Sequence, residues 1–260
     1  MKLFLDTADI KEIRIAAGWG VLSGVTTNPT LIARAGRDHE EAVREICEVV
    51  GNVSAETVST ARDDLVGEGR RLASWHPNVI VKVAMTPDGL AAGKVLAGEG
   101  IRINVTLCFT VNQALLAAAI GAYIVSPFVG RLIDIGEDGI AVVRDIVAAY
   151  RQQGIRTQVL SASLRDPLHV TQSALAGADI ATMPFKVMEA MFKHPLTDAG
   201  LERFLADYRG ARAASGTVAG PADARASRDA RPQPTAPAAA GALGGGQSPK
   251  TPQPQPVKRG

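Results

Sequence analysis

Cysteine is nearly absent: Cys47 and Cys108 lie 61 positions apart and outside any CxxC, which excludes a disulfide framework and a cysteine metal site. Both read as buried thiols. Aromatic residues make up only 4% of the chain, too few and too scattered for a surface on which nucleic-acid bases stack. No run approaches the roughly 18 consecutive apolar residues of a membrane span. The apolar start of the chain meets Asp6 before a signal-peptide core could form, so a cytoplasmic protein with no membrane partner is expected. The four histidines, His39, His76, His169 and His194, show no ligand spacing. HExxH, GxSxG, a Walker A loop and a GxGxxG after the first strand are all missing. No metal, nucleotide, flavin or other cofactor is expected.

Charge of one sign is also lacking, with 28 Lys and Arg against 26 Asp and Glu, but the balance is uneven along the chain. In residues 211–260, seven basic residues face only Asp223 and Asp229, a net +5 that leaves −3 for residues 1–210. The weakly basic character therefore belongs to the end of the chain, and the rest offers no electrostatic footprint for nucleic acid. That end is 28 of 50 positions Pro, Gly or Ala, without Ile, Met or any aromatic. Ordering costs about 1–2 kcal/mol per residue, and this composition cannot bury enough apolar surface to offset it. Two domains result: residues 1–210 folded, and 211–260 a disordered basic tail.

Residues 1–210 alternate short apolar runs with amphipathic stretches. The expected strands are 3–6, 24–28, 53–57, 79–84, 102–108, 123–128, 157–163 and 179–183. Between and after them lie helical patterns at 9–18, 40–50, 60–74, 87–98, 110–121, 139–153, 167–177 and 184–192. Eight βα units in this length fit an α/β fold of the closed (β/α)8 TIM-barrel kind, with an extra C-terminal helix over 197–209.

Chemistry in such barrels sits where the strands end. Asp6, the Thr26-Thr27-Asn28 run, Glu56, Asn104, Thr106, Ser126, Ser161 and Ser163 occupy those ends, with Arg131 and Arg165 shortly after. Lys82 interrupts the apolar run Val79-Ile80-Val81-Lys82-Val83-Ala84, and period-two alternation places it on the face of Ile80 and Ala84. If that face lines the barrel, poor solvation disfavours the charged ammonium and favours a nucleophilic amine. The alternative is a lysine that snorkels from the strand end or pairs with a buried acid. Asp6 and Glu56 add carboxylates for proton transfer, though each could equally cap a helix or bind a cation. For Thr26, Thr27 and Asn28, just before Pro29, capping competes directly. Arg131, Arg165 and the serines form a possible phosphate seat. Amine, carboxylates and phosphate seat together suit Schiff-base chemistry on a sugar phosphate.

The words Leu3-Phe4-Leu5-Asp6-Thr7-Ala8-Asp9, Gly24-Val25-Thr26-Thr27-Asn28-Pro29-Thr30, Val79-Ile80-Val81-Lys82-Val83, Asn104-Val105-Thr106, Ser126-Pro127-Phe128-Val129-Gly130-Arg131 and Ser161-Ala162-Ser163-Leu164-Arg165 resemble the small transaldolase family, which also holds the fructose-6-phosphate aldolases. The resemblance runs from about residue 2 to 209. It implies a cofactor-free transfer of a dihydroxyacetone unit from a ketose phosphate to an aldose phosphate, in the pentose phosphate pathway, with sugar phosphates as substrates. Lys82 would form the Schiff base and Asp6 would take the proton from the donor hydroxyl. Glu56 and Thr106 would hold the relay water. Thr27, Asn28, Asn104, Ser126 and Phe128 fall at substrate-binding positions, and Arg131, Ser163 and Arg165 at phosphate-binding ones. Glu56 and Phe128 resemble the transaldolase branch, where the aldolase branch carries Gln and Tyr. Relatives build homo-oligomeric rings of five or ten subunits, so a homo-oligomer is expected.

Overall fold

A computed structural model of the chain describes residues 1–214. Eight parallel strands close into a barrel in sequence order: β1 (Lys2–Asp6), β2 (Leu22–Thr26), β3 (Val53–Glu56), β4 (Val79–Ala84), β5 (Ile103–Cys108), β6 (Ile124–Pro127), β7 (Gln158–Ser161) and β8 (Ile180–Met183). β8 pairs back onto β1, so no sheet edge is left. The helices are α1 (Ile10–Gly18), α2 (Pro29–Arg34), α3 (His39–Cys47), α4 (Arg62–Trp75), α5 (Pro87–Gly98), α6 (Val111–Ala119), α7 (Val129–Asp134), α8 (Gly139–Gln152), α9 (Pro167–Leu175), α10 (Phe185–Ala190) and α11 (Pro195–Ala214). The expected TIM barrel is present.

Seven helices share one way of starting, while α4, α7 and α10 begin without a side-chain cap. Asp9, Asn28, Asp38, Thr86, Thr110, Asp138 and Asp166 each accept, through a side-chain oxygen, a backbone N–H from the first turn of the helix they precede. Each such cap stabilises its helix by about 1 kcal/mol. Pro29, Pro87 and Pro167 then occupy the opening positions, where a missing N–H costs nothing.

Period-two alternation divides the strands' side chains between two cores. Outward residues such as Leu5, Val25, Val53, Val81, Val83, Val105, Val125 and Met183 pack with Ile13, Ile46, Leu72, Leu96 and Ile146 of the helices. Inward residues Phe4, Ile80, Ile124, Leu160 and Ile180 form a separate apolar plug. Gly24 is part of that plug's fit: a Cβ there would stand 2.5 Å from the Phe4 ring and 2.6 Å from the Asn52 carbonyl oxygen. One step along each strand, the inward positions turn polar at Ser54, Lys82, Asn104 and Ser126, all buried. This change of chemistry along the axis places the site.

Two differences from the sequence reading matter. The stretches after β2 and β6 form the short helices α2 and α7 before the longer α3 and α8 begin. The C-terminal helix is also longer than 197–209, extending through Ala214, so residues 211–214 of the expected tail are helical. The remainder of that expectation, residues 215–260, lies outside the described residues. The chain divides into two compact units, the first Met1–Thr197 and the second beginning at Asp198.

Among the described residues, no helix is long and apolar enough to cross a membrane. Cys47 and Cys108 are free and buried, and burial pushes their thiols up to about 12 and about 11. At neutral pH they are protonated packing groups.

Candidate active site

At the C-terminal ends of the strands lies a cavity of about 410 Å³ whose wall includes Asp6, Asn28, Glu56, Lys82, Thr106 and Arg131. Register explains how strand residues distant in sequence converge there. Glu56 pairs with Lys82 and Lys82 with Asn104 across neighbouring strands, while Asp6 pairs with Thr26.

Lys82 is 5% exposed, and its Nζ stands 2.9 Å from Glu56 Oε2. It neither snorkels outward nor faces the helices. Burial and an acidic partner, weighed as rivals in the sequence, occur together. The amine thus has a proton acceptor in contact and a cavity beside it. Beside it on β5, Asn104 donates through Nδ2 to Ser54 Oγ at 3.1 Å and accepts from Ser126 Oγ at 2.7 Å. That belt satisfies three buried polar groups mutually, as a low-dielectric interior requires.

Asp6 is reached by a directional relay. Its Oδ1 accepts from Thr26 Oγ1 at 2.8 Å, and Thr26 Oγ1 lies 2.7 Å from Thr182 Oγ1. Thr26 gives its single hydroxyl proton to Asp6, so Thr182 donates to Thr26. The second Asp6 oxygen makes no hydrogen bond to the described residues and is available to a ligand. Thr106 also lines the cavity with a hydroxyl that bonds no described protein group.

Asn28 resolves the competition between cap and site by serving both. Its Oδ1 accepts from Leu31 N–H at 3.0 Å to start α2, and the residue also lines the cavity, which leaves its amide N–H groups as donors. Phe128 and Ser163 line the opposite side with Arg131, whose guanidinium lies 4.9 Å over the Phe128 ring. Ser163 has a left-handed backbone, φ +61°, as has the cavity residue Leu107 at φ +57°. Such conformations cost of order 1–3 kcal/mol and gather at functional sites. The Ser163 turn is held against Gly130, where a Cβ would come 2.0 Å from the Ser163 carbonyl oxygen.

Three expected site residues are placed elsewhere. Thr27 points the other way from Thr26, its hydroxyl donating to the Ser54 carbonyl at 2.8 Å, because adjacent strand residues face opposite sides. Asn104 lies in the buried belt rather than on the cavity wall. Arg165 is clasped by Asp134 through both terminal nitrogens and is not part of the wall. Those hydrogen bonds hold the Asp134 carboxyl below its ordinary range. Conversely, Thr182 and Arg34 contribute to the wall without having been singled out, and Thr26, read as a strand-end or capping residue, joins them. Alternation from Asn28 back along the strand points to Thr26, and Leu31 and Arg34 follow the Asn28 cap at helical spacing.

A TIM barrel with a buried lysine–carboxylate pair at the mouth, a second carboxylate and a cationic rim has the form of a barrel enzyme's active site. Comparison with known proteins sharpens this. The profile described as Transaldolase/Fructose-6-phosphate aldolase matches residues 3–219. The "Probable transaldolase" of Roseiflexus sp. is 58% identical over 211 residues, covering 80% of this chain and 97% of the relative. That of Herpetosiphon aurantiacus is 57% identical over 210 residues, 80% of this chain and 95% of the relative. The "Probable transaldolase 1" of Listeria monocytogenes serotype 4b is 54% identical over 213 residues, 82% of this chain and 100% of the relative. The chain belongs to the transaldolase/fructose-6-phosphate aldolase family and is an enzyme of that family.

Proposed function

We propose that the enzyme moves a dihydroxyacetone unit from a ketose phosphate to an aldose phosphate through a Schiff base on Lys82, as a cytoplasmic transaldolase of the pentose phosphate pathway. The observation that carries this reading is the Lys82 amine in contact with Glu56 and opening on the cavity that Asp6 and Thr106 also line. Glu56 takes the ammonium proton, and the free amine attacks the ketose C2 carbonyl. Loss of water, with protons passed through a water held by Glu56 and Thr106, gives the iminium. The free Asp6 oxygen then removes the C4 hydroxyl proton. The C3–C4 bond breaks, its electron pair entering the iminium to make an enamine, and the aldose phosphate leaves. Attack of the enamine on an incoming aldehyde reverses these steps, and water returns the amine. Arg131 and Ser163 supply the cationic and hydroxyl donors for the phosphate.

Phe128 supports transfer over simple cleavage. An apolar ring beside the carbanionic intermediate brings no hydroxyl to protonate it, so the three-carbon unit waits for an aldehyde. The alternative aldolase activity would release free dihydroxyacetone. Incubation of fructose 6-phosphate with borohydride should add a dihydroxyacetone-sized mass to the Lys82 peptide, and Lys82→Met should remove both adduct and turnover. Labelling of Lys94 or Lys186 instead would refute the site. Release of dihydroxyacetone without acceptor, at a rate comparable to transfer, would move the enzyme to the aldolase branch.

A further inference from the structure

Five charged side chains line the cavity: Asp6, Arg34, Glu56, Lys82 and Arg131. Lys82 and Glu56 offset one another at 2.9 Å, and Asp6 is engaged by Thr26. Two arginines remain; neither makes an ion pair or a hydrogen bond with the described residues, although Arg131 lies close enough to Asp134 to act on its carboxyl. Elsewhere many guanidiniums are engaged, although Arg102 bonds only amide and carbonyl oxygens, and Arg151 and Arg156 make no ion pair among the described residues. Arg14, Arg37, Arg44, Arg70 and Arg165 are each matched to a carboxylate. What sets Arg34 and Arg131 apart is that both open on the cavity that also holds Lys82 and Glu56, where a bound anion can supply the partner they lack.

Their placement is complementary. Arg131 stands on α7, after β6, and Arg34 on α2, after β2. In a closed barrel of eight strands in sequence order, β2 and β6 are four strands apart in either direction, so the two helices rise from opposite sides of the mouth. They are counterparts: each has six residues, and each precedes a longer helix capped by an aspartate, Asp38 or Asp138. Arg34 and Leu31 also border an adjoining groove of about 330 Å³, in which Arg37 is already bound by Glu41 and Glu45. Arg34 is therefore the cation left to face a ligand from that side.

We propose that Arg34 is a specificity-determining residue that recognises the phosphorylated aldose portion from the wall opposite Arg131, and so sets the preference for phosphorylated over neutral sugars. Asp134 already engages Arg165, which leaves Arg34 the guanidinium of that opposite wall without a carboxylate in contact. The inference rests on the transfer reaction proposed above for its kinetic form but not for its binding form. Arg34→Gln removes the charge, and Arg34→Lys keeps it without the planar fork.

Two measurements test it. In transfer assays, the ratio of kcat/KM for glyceraldehyde 3-phosphate to that for glyceraldehyde should fall about tenfold in Arg34→Gln, mostly through KM, with partial recovery in Arg34→Lys. In calorimetry, binding of glycerol 3-phosphate should weaken by a similar factor while binding of glycerol does not change. An equal loss for charged and neutral ligands would assign Arg34 a structural role and overturn the proposal, as would unchanged ratios. Selective weakening of glycerol 3-phosphate binding in a protein that forms no borohydride-trapped adduct would sustain Arg34 and overturn the Schiff-base reaction.

Discussion

At the scale of single residues, the most exacting contact in the site is made by a residue with no side chain. Gly130 faces the Ser163 carbonyl so closely that an added methyl group would stand 2.0 Å from it and 2.9 Å from Ser163 Oγ. The obstacle is backbone, which cannot rotate aside. Gly130→Ala should therefore displace the Ser163 turn, lowering stability by about 1–3 kcal/mol, the range for overpacked sites. Catalytic efficiency toward phosphorylated substrates should fall further than toward neutral ones. Urea unfolding and paired kinetic assays check both, and a normal urea midpoint would show that the turn yields freely. Residue types at the site were legible in advance because Lys82, Asp6 and Glu56 break apolar or turn patterns in ways that need explanation. Facing was harder. Thr26 and Thr27 are chemically identical, and only the direction of the strand decides which one meets Asp6 and which bonds Ser54. Arg165 could not be separated from Arg131 by sequence, since Asp134 joins it only after β6 and β7 are side by side.

At the scale of elements, α3 and α4 meet at an unusual contact. His39 packs edge-on against Trp75 with ring centres 5.0 Å apart, and the His39 Nε2 and Trp75 Nε1 atoms are both buried without a hydrogen-bond partner. Burial is the leading influence on His39 and lowers its affinity for a proton; Arg71 acts the same way, while Glu68 and Asp38 oppose it. The folded state thus keeps this histidine neutral at a pH where the unfolded chain has begun to bind a proton. Stability from this source is whole above the unfolded value of about 6.5 and is lost as pH falls below it. Melting temperatures measured from pH 8 to pH 5 should decline less steeply for His39→Phe than for the unsubstituted protein. Parallel curves would place the acid sensitivity elsewhere. The long elements were readable because periodicity had room to repeat; α5, with Thr86 capping and Pro87 opening, matches its expected limits of 87–98. The short α2 and α7 were not, since six residues hold fewer than two helical turns and give no stripe to detect. Those two elements carry Arg34 and Arg131.

At the scale of the whole molecule, counting βα units was enough to expect closure, because eight right-handed units return the sheet to its first strand. What the count could not supply is the stagger that brings Glu56 beside Lys82. The curated relatives are matched over 95–100% of their own lengths by about 210 residues of this chain, so the remainder is additional to the shared enzyme. Truncation after Ala214, where α11 ends, should leave kcat/KM within about twofold of the full chain. A large loss would show that the extension serves the reaction.

The apolar plug of Phe4, Ile80, Ile124, Leu160 and Ile180 seals the far end of the barrel. Among the described residues, the cavity that holds Lys82 is therefore closed on that side and opens at the C-terminal ends of the strands. In the transfer proposed above, a departing aldose and its successor would use the same opening, so an excess of either should slow turnover.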